Sequence, residues 1–150
     1  MPDWAGVNLP AQPPQGVYLG FDFGLKRIGW ARGQTLTATA TPGGILHSRD
    51  GVPDWPAITQ LMDQWQPVAL VVGLPFRLHD GSEQLTTQQA RKFGQRLSGR
   101  MGKPVYFVPE QLSSKQAEAW IQRTGERTVP VDAAAAMIIL ETFLSQWNTP

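Results

Sequence analysis

Cysteine is absent from the 150 residues, and histidine is reduced to His47 and His79. The first absence excludes disulfide frameworks, thiol nucleophiles, thiolate zinc sites and iron–sulfur clusters, and the second excludes a metal cage built from histidines. An excess of one charge is also missing. The 13 Lys and Arg against 12 Asp and Glu give a formal net charge of +1, so any site for a polyanion is local rather than global. The longest apolar run, Ala133 to Leu140, stops at Glu141, far short of the ~18 residues that suggest a membrane span. The opening MPDWAGVNLPAQPPQG lacks the basic start and apolar stretch of a secretory signal. The expectation is a cytoplasmic protein without membrane contact.

What is present suffices for one core. Hydrophobic residues make up 41% of a chain whose length matches a single domain of ~100 to 150 residues. Residues 1–16 read as a flexible Pro-rich leader and residues 17–150 as a single domain. Val17 to Phe23 alternates as a strand, with Val17, Leu19, Phe21 and Phe23 on one face and Tyr18, Gly20 and Asp22 on the other. Ile28 to Arg32 and Leu36 to Leu46, the latter interrupted by Pro42-Gly43-Gly44, complete an antiparallel three-stranded meander. Asp54 with Pro56 opens a helix whose stripe is Ile58, Leu61, Met62 and Trp65.

Two β–α units follow. Ala69 to Val72 reads as a buried strand ending at Gly73, Leu74 to Gln84 as a polar loop, and Thr86 to Met101 as a helix with core stripe Ala90, Phe93, Leu97 and Met101. Gly94 inside that helix costs about 1 kcal/mol, which suggests close packing. Val105 to Val108 is the last strand, a capping box at Ser113 and Gln116 opens a helix through Ile121, and Asp132 caps an Ala-rich helix to about Gln146. Right-handed crossovers make the later two strands parallel. The expected fold class is therefore α/β, a mixed five-stranded sheet with helices on both faces.

Three carboxylates stand where element ends fix their direction. Asp22 interrupts an apolar strand, and an unpaired buried carboxylate is costly, so it is either paired, bound to a cation, or turned to cap the bend at Gly24. Glu110 follows a strand directly, at the carboxyl end where open α/β sheets place ligands, or is simply solvated there. Asp132 is a helix cap or a third member of the set. Converging from two strands and a helix start, such acids suit Mg²⁺ or Mn²⁺, and two ions roughly 4 Å apart serve phosphodiester hydrolysis. Lys92, Arg96 and Arg100 recur every four residues, and no acid occurs from Gln84 to Pro109. Lys26, Arg27 and Arg77 lie closer to the candidate site, and His79 stands in the loop that also holds Arg77.

These motifs resemble the YqgF (RuvX) family, described as candidate Holliday junction resolvases and as nucleases of pre-16S rRNA. The segments LGFDFGLKRIGWA (Leu19 to Ala31), VVGLPFRLHDGSE (Val71 to Glu83) and VDAAAAMIIL (Val131 to Leu140) carry the likeness, with PEQLSSKQA (Pro109 to Ala117) an imperfect fourth. The resemblance implies an RNase H-like fold and metal-dependent phosphodiester hydrolysis, with Asp22, Glu110 and Asp132 as catalytic and metal-binding acids. Pro109 and Gln111 depart from the Asp and Arg usual in the family.

The expected function is then a two-metal-ion nuclease using Mg²⁺ or Mn²⁺, with Lys26, Arg27, Arg77, Lys92, Arg96 and Arg100 as nucleic-acid contacts. Its substrate is expected to be structured RNA, first the 5′ end of pre-16S rRNA, with precursor ribosomal particles as partners. Branched DNA comes second, and either a monomer or a homodimer is compatible with the chain. The rival readings are a nucleic-acid-binding factor with little or no catalysis, motivated by Pro109 and Gln111, and a phosphate-loop ATPase suggested by Asp22-Phe23-Gly24.

Overall fold

The computed structural model describes residues 12–77, 79–110 and 113–147. Its strands are β1 (Val17–Asp22), β2 (Arg27–Gln34), β3 (Thr39–Arg49), β4 (Val52–Pro53), β5 (Ala69–Pro75) and β6 (Val105–Glu110). Its helices are α1 (Trp55–Trp65), α2 (Leu85–Met101), α3 (Ser113–Thr124) and α4 (Val131–Leu144), followed by a 3₁₀ turn at Ser145–Trp147. The strands form one sheet in the order β4-β3-β2-β1-β5-β6. β1, β2, β3 and β4 pair antiparallel, while β1–β5 and β5–β6 are parallel. The expected meander and parallel pair are both present. The sheet has six strands rather than five, because Val52 and Pro53 turn back along Ser48 and Arg49 to add a two-residue edge that is too short to show periodicity.

Helices cover both faces. On one, Leu19, Phe21, Ile28, Leu70 and Val72 pack against Ile58, Leu61 and Met62 of α1 and Ala90, Phe93 and Leu97 of α2. On the other, Tyr18, Ala69, Val71 and Val108 meet Ile139, Leu140 and Phe143 of α4. α4 is apolar on every side because α3 closes over its outer surface through Ala117, Ala134 and Ala135. No helix among the described residues is long and apolar enough to cross a membrane.

Several element ends differ from the sequence reading for identifiable reasons. Asp54 caps α1 as expected, accepting from the Ala57 N–H at 3.2 Å. Asp132 is not a cap: Pro130 occupies that position and Asp132 lies in the first turn of α4. The segment after β5 is a tight hairpin with a Phe76–Glu83 bridge, and the Arg77 N–H donates to the Ser82 carbonyl at 2.9 Å. Residues 1–11 of the Pro-rich leader lie outside the described residues. Beyond them the Tyr18 hydroxyl donates to the Pro14 carbonyl at 2.6 Å and the Gly16 N–H to the Thr35 hydroxyl at 3.0 Å.

Thr87 is fully buried and joins two elements. Its hydroxyl accepts from the Gln84 N–H at 3.0 Å and donates to the Pro75 carbonyl, tying the start of α2 to the end of β5. Thr87→Val keeps the shape and orphans both partners. It is expected to cost about 1–3 kcal/mol, seen as a lower urea midpoint with an unchanged slope.

Candidate active site

Asp22 is the last residue of β1 and lies opposite Gly29 of β2. The alternation of β1 sends its side chain to the face covered by α4, the side that Tyr18 also occupies. Gly20 precedes it on that face, and a Cβ there would lie 2.9 Å from Leu140 Cβ. The glycine thus admits a helix, not a ligand. Gly24 serves the turn itself, where a Cβ would sit 2.5 Å from the Arg27 carbonyl oxygen.

Gly29 has no signal in the sequence and proves decisive. A Cβ at Gly29 would lie 2.0 Å from the carbonyl oxygen of Asp132 and 2.8 Å from the Ala133 nitrogen. The first turn of α4 therefore rests directly on β2, level with Asp22. This contact brings Asp132 to the end of β1.

Glu110 closes β6, two strands away. Phe21, Val72 and Phe107 are level across β1, β5 and β6, so Glu110 stands two residues beyond the level of Asp22. It shares the α4 face with Val108. Strand spacing and rise alone put its Cα on the order of 12 Å from that of Asp22. Pro109, one residue before, is tolerated because β6 is an edge strand. Gln111 lies outside the described residues.

Asp22 senses the charges of the other two acids. Burial, then the charge of Glu110, then that of Asp132 push the Asp22 carboxyl from an ordinary 3.8 to about 7. Arg27 Nε lies 3.1 Å from Asp132 Oδ2, in a half-exposed pair that contributes little stability. Among the described residues no group of three or more His, Asp or Glu side chains is drawn together closely enough to hold a metal ion as it stands. Strand geometry separates the Cα atoms of Asp22 and Glu110 by on the order of 12 Å, and the Arg27 guanidinium takes one oxygen of Asp132. The donor set nevertheless fits a hard divalent cation: all donors are carboxylate oxygens, and Asp22 is held against its charge by two like charges that a cation would neutralise.

The predicted cations are distributed unevenly. Lys26 is exposed in the turn after Asp22, and Arg27 faces Asp132. Arg77 stands in the hairpin after β5, where its charge helps hold the Asp80 carboxyl below the ordinary range, after the hydrogen bonds of Ser82. His79 Nε2 lies 3.3 Å from Asp80 Oδ2. Of the α2 row, Lys92 and Arg96 line a cavity, whereas the Arg100 guanidinium stacks 4.4 Å from the centre of the Trp55 ring. Helical spacing placed these three together, but a tertiary neighbour sets Arg100 apart.

Residues 16–146 match the RuvX family, described as Holliday junction resolvase. A protein of Hydrogenovibrio crunogenus, named as a candidate pre-16S rRNA nuclease, is 59% identical over 133 residues, which cover 89% of this chain and 96% of that one. A Legionella pneumophila protein of the same name is 45% identical over 137 residues, 89% of this chain and 98% of its own. Among solved structures, Thermus thermophilus RuvC in complex with a Holliday junction substrate superposes with a TM-score of 0.56 at 19% identity, over 87% of this chain and 95% of that one. Fowlpox virus resolvase with Holliday junction DNA gives 0.55 at 11% identity, over 89% and 99%. The two structures share the fold.

Proposed function

Because this chain belongs to the RuvX family, we propose that it is a metal-dependent nuclease hydrolysing phosphodiester bonds, with the 5′ end of pre-16S rRNA as its substrate. The observation that carries this reading is the carboxyl of Asp22, raised by burial and by Glu110 and Asp132 at the carboxyl end of the sheet. Two like charges brought against a half-buried carboxylate disfavour its ionised form, and a bound cation would relieve all three, which supports this reading.

Asp22, Glu110 and Asp132 would hold the ion, either Mg²⁺ or Mn²⁺. When bound, it supplies a hard Lewis acid that polarises the phosphodiester and acidifies water. The chain's own residues do the rest. β1 and β6 fix two carboxylates on one face, and Gly29 lets α4 bring the third. Arg27 holds Asp132 in place and, with Lys26 beside it, offers positive charge to the phosphate backbone. Asp22 becomes a ligand only when ionised, so cation uptake and cleavage rise with pH through about 7 in this reading.

The family description also motivates four-way DNA junctions as substrate. A cleavage assay offering precursor rRNA and a four-way junction, each with Mg²⁺ or Mn²⁺, separates the two. Cleavage of the precursor at its 5′ end by wild type, lost at least ~10³-fold in Asp22→Asn, is the expected result. Binding of both substrates with steep salt dependence but no cleavage under any metal would leave a nucleic-acid-binding factor instead.

A further inference from the structure

We propose that the cavity between α2 and the β3–β4 turn receives an unpaired nucleobase of the substrate strand, from a nucleotide flanking the scissile phosphate. The inference rests on the nuclease reading above and extends it to a binding subsite. The cavity has a volume of about 170 Å³, smaller than a site for a large ligand. Its apolar lining is Phe23, Leu25, Val52, Pro53 and the almost wholly buried Phe93. Leu25 and Val52 remain 46% and 57% exposed, so apolar surface is left at the mouth without a partner.

Charge decides what kind of partner fits. Lys92 and Arg96, on the acid-free stretch of the chain, line the rim, with Gln89 on the same helix. Aromatic and aliphatic walls beside two cations suit a base with its phosphate, since bases stack on apolar faces while the backbone follows positive charge. Asp50, the one acid of the rim, is an acceptor for the amino edge of a base.

The cavity is built onto the active site. Phe23 is the residue after Asp22, and the alternation of β1 turns it to the opposite face. The Gly51 N–H donates to the Leu25 carbonyl at 3.0 Å, the Ser48 N–H to the Lys26 carbonyl at 2.9 Å and the Ser48 hydroxyl to the Gly24 carbonyl at 3.0 Å. The turn that follows Asp22 is thereby fixed to the wall of the cavity. A strand whose phosphate lies at Asp22 would pass over the carboxyl end of β1 to place its neighbouring base beside Phe23.

The test uses the full chain, without metal, and precursor RNA carrying 2-aminopurine singly at unpaired positions on either side of the cleavage site. One flanking position is expected to change emission on binding. Val52→Glu, at an exposed turn position, should abolish that change and weaken binding about tenfold, with an unaltered unfolding midpoint. Lys92→Gln combined with Arg96→Gln should lower the slope of log affinity against log salt by about 1.5. An emission change that survives both sets of substitutions, or no change at any position while wild type cleaves the RNA, overturns the subsite alone and leaves the groove to an acidic protein segment. An emission change lost in Val52→Glu, with no cleavage by wild type under any metal, keeps the subsite and overturns the nuclease.

Discussion

Asp22→Asn is expected to make the metal-free protein more stable at pH 8, by up to about 4 kcal/mol, while removing its activity. The figure follows from a carboxyl raised from 3.8 to about 7, at about 1.4 kcal/mol per unit. Below about pH 3 the group is largely neutral in both folded and unfolded chains, and Asp and Asn should be nearly equivalent. Between about 4 and 7 the unfolded chain ionises while the folded one stays protonated, so wild type loses stability as pH rises and the Asn variant does not. Thermal unfolding in chelator across pH 4 to 8 checks this. Saturating Mn²⁺ should then narrow the gap, since an ion bound at about 100 times its dissociation constant restores about 2.7 kcal/mol to wild type alone. Equal midpoints at pH 8 in chelator would mean that Asp22 is not set against its neighbours. Loss of function with gain of stability marks a residue kept for chemistry.

The second large effect is expected at a residue without functional groups. Gly29→Ala places a Cβ 2.0 Å from the backbone oxygen of Asp132, and backbone cannot swing aside as a side chain can. The first turn of α4 must lift from β2, carrying Asp132 away from Asp22. Cleavage should fall about 100-fold or more, as when a reacting group is displaced by ~1 Å, at a stability cost of about 1–3 kcal/mol. Gly99→Ala is the control. Nothing lies within 4 Å of a Cβ at Gly99, which sits in α2, so that variant should keep full cleavage and gain up to about 1 kcal/mol.

Much of this arrangement is legible in single residues. Asp22 stands out because a carboxylate interrupts an apolar alternation, and Gly94 because a helix tolerates glycine only for a reason; a Cβ there would meet Phe107 at 2.4 Å. Both signals are local, a wrong residue for its element. Gly29 sends no such signal, since a glycine in a strand after a turn is unremarkable until α4 is docked on it. Asp132 misleads in the same way: an acid before an apolar helix looks like a cap, and only the backbone shows Pro130 there instead. The division of Lys92 and Arg96 from Arg100 depends on where Trp55 of α1 ends up, which no spacing within α2 contains. Periodicity thus finds faces and element types, while neighbours brought by tertiary packing decide which members of a face are available.

The most direct test of the three-acid site is a calorimetric titration of the full chain with Mn²⁺ at pH 8, beside Asp22→Asn, Glu110→Gln and Asp132→Asn. Wild type should take up the ion and each variant should bind it at least about tenfold more weakly, as expected when a carboxylate ligand is removed. Unchanged Mn²⁺ affinity in all three variants would contradict the account.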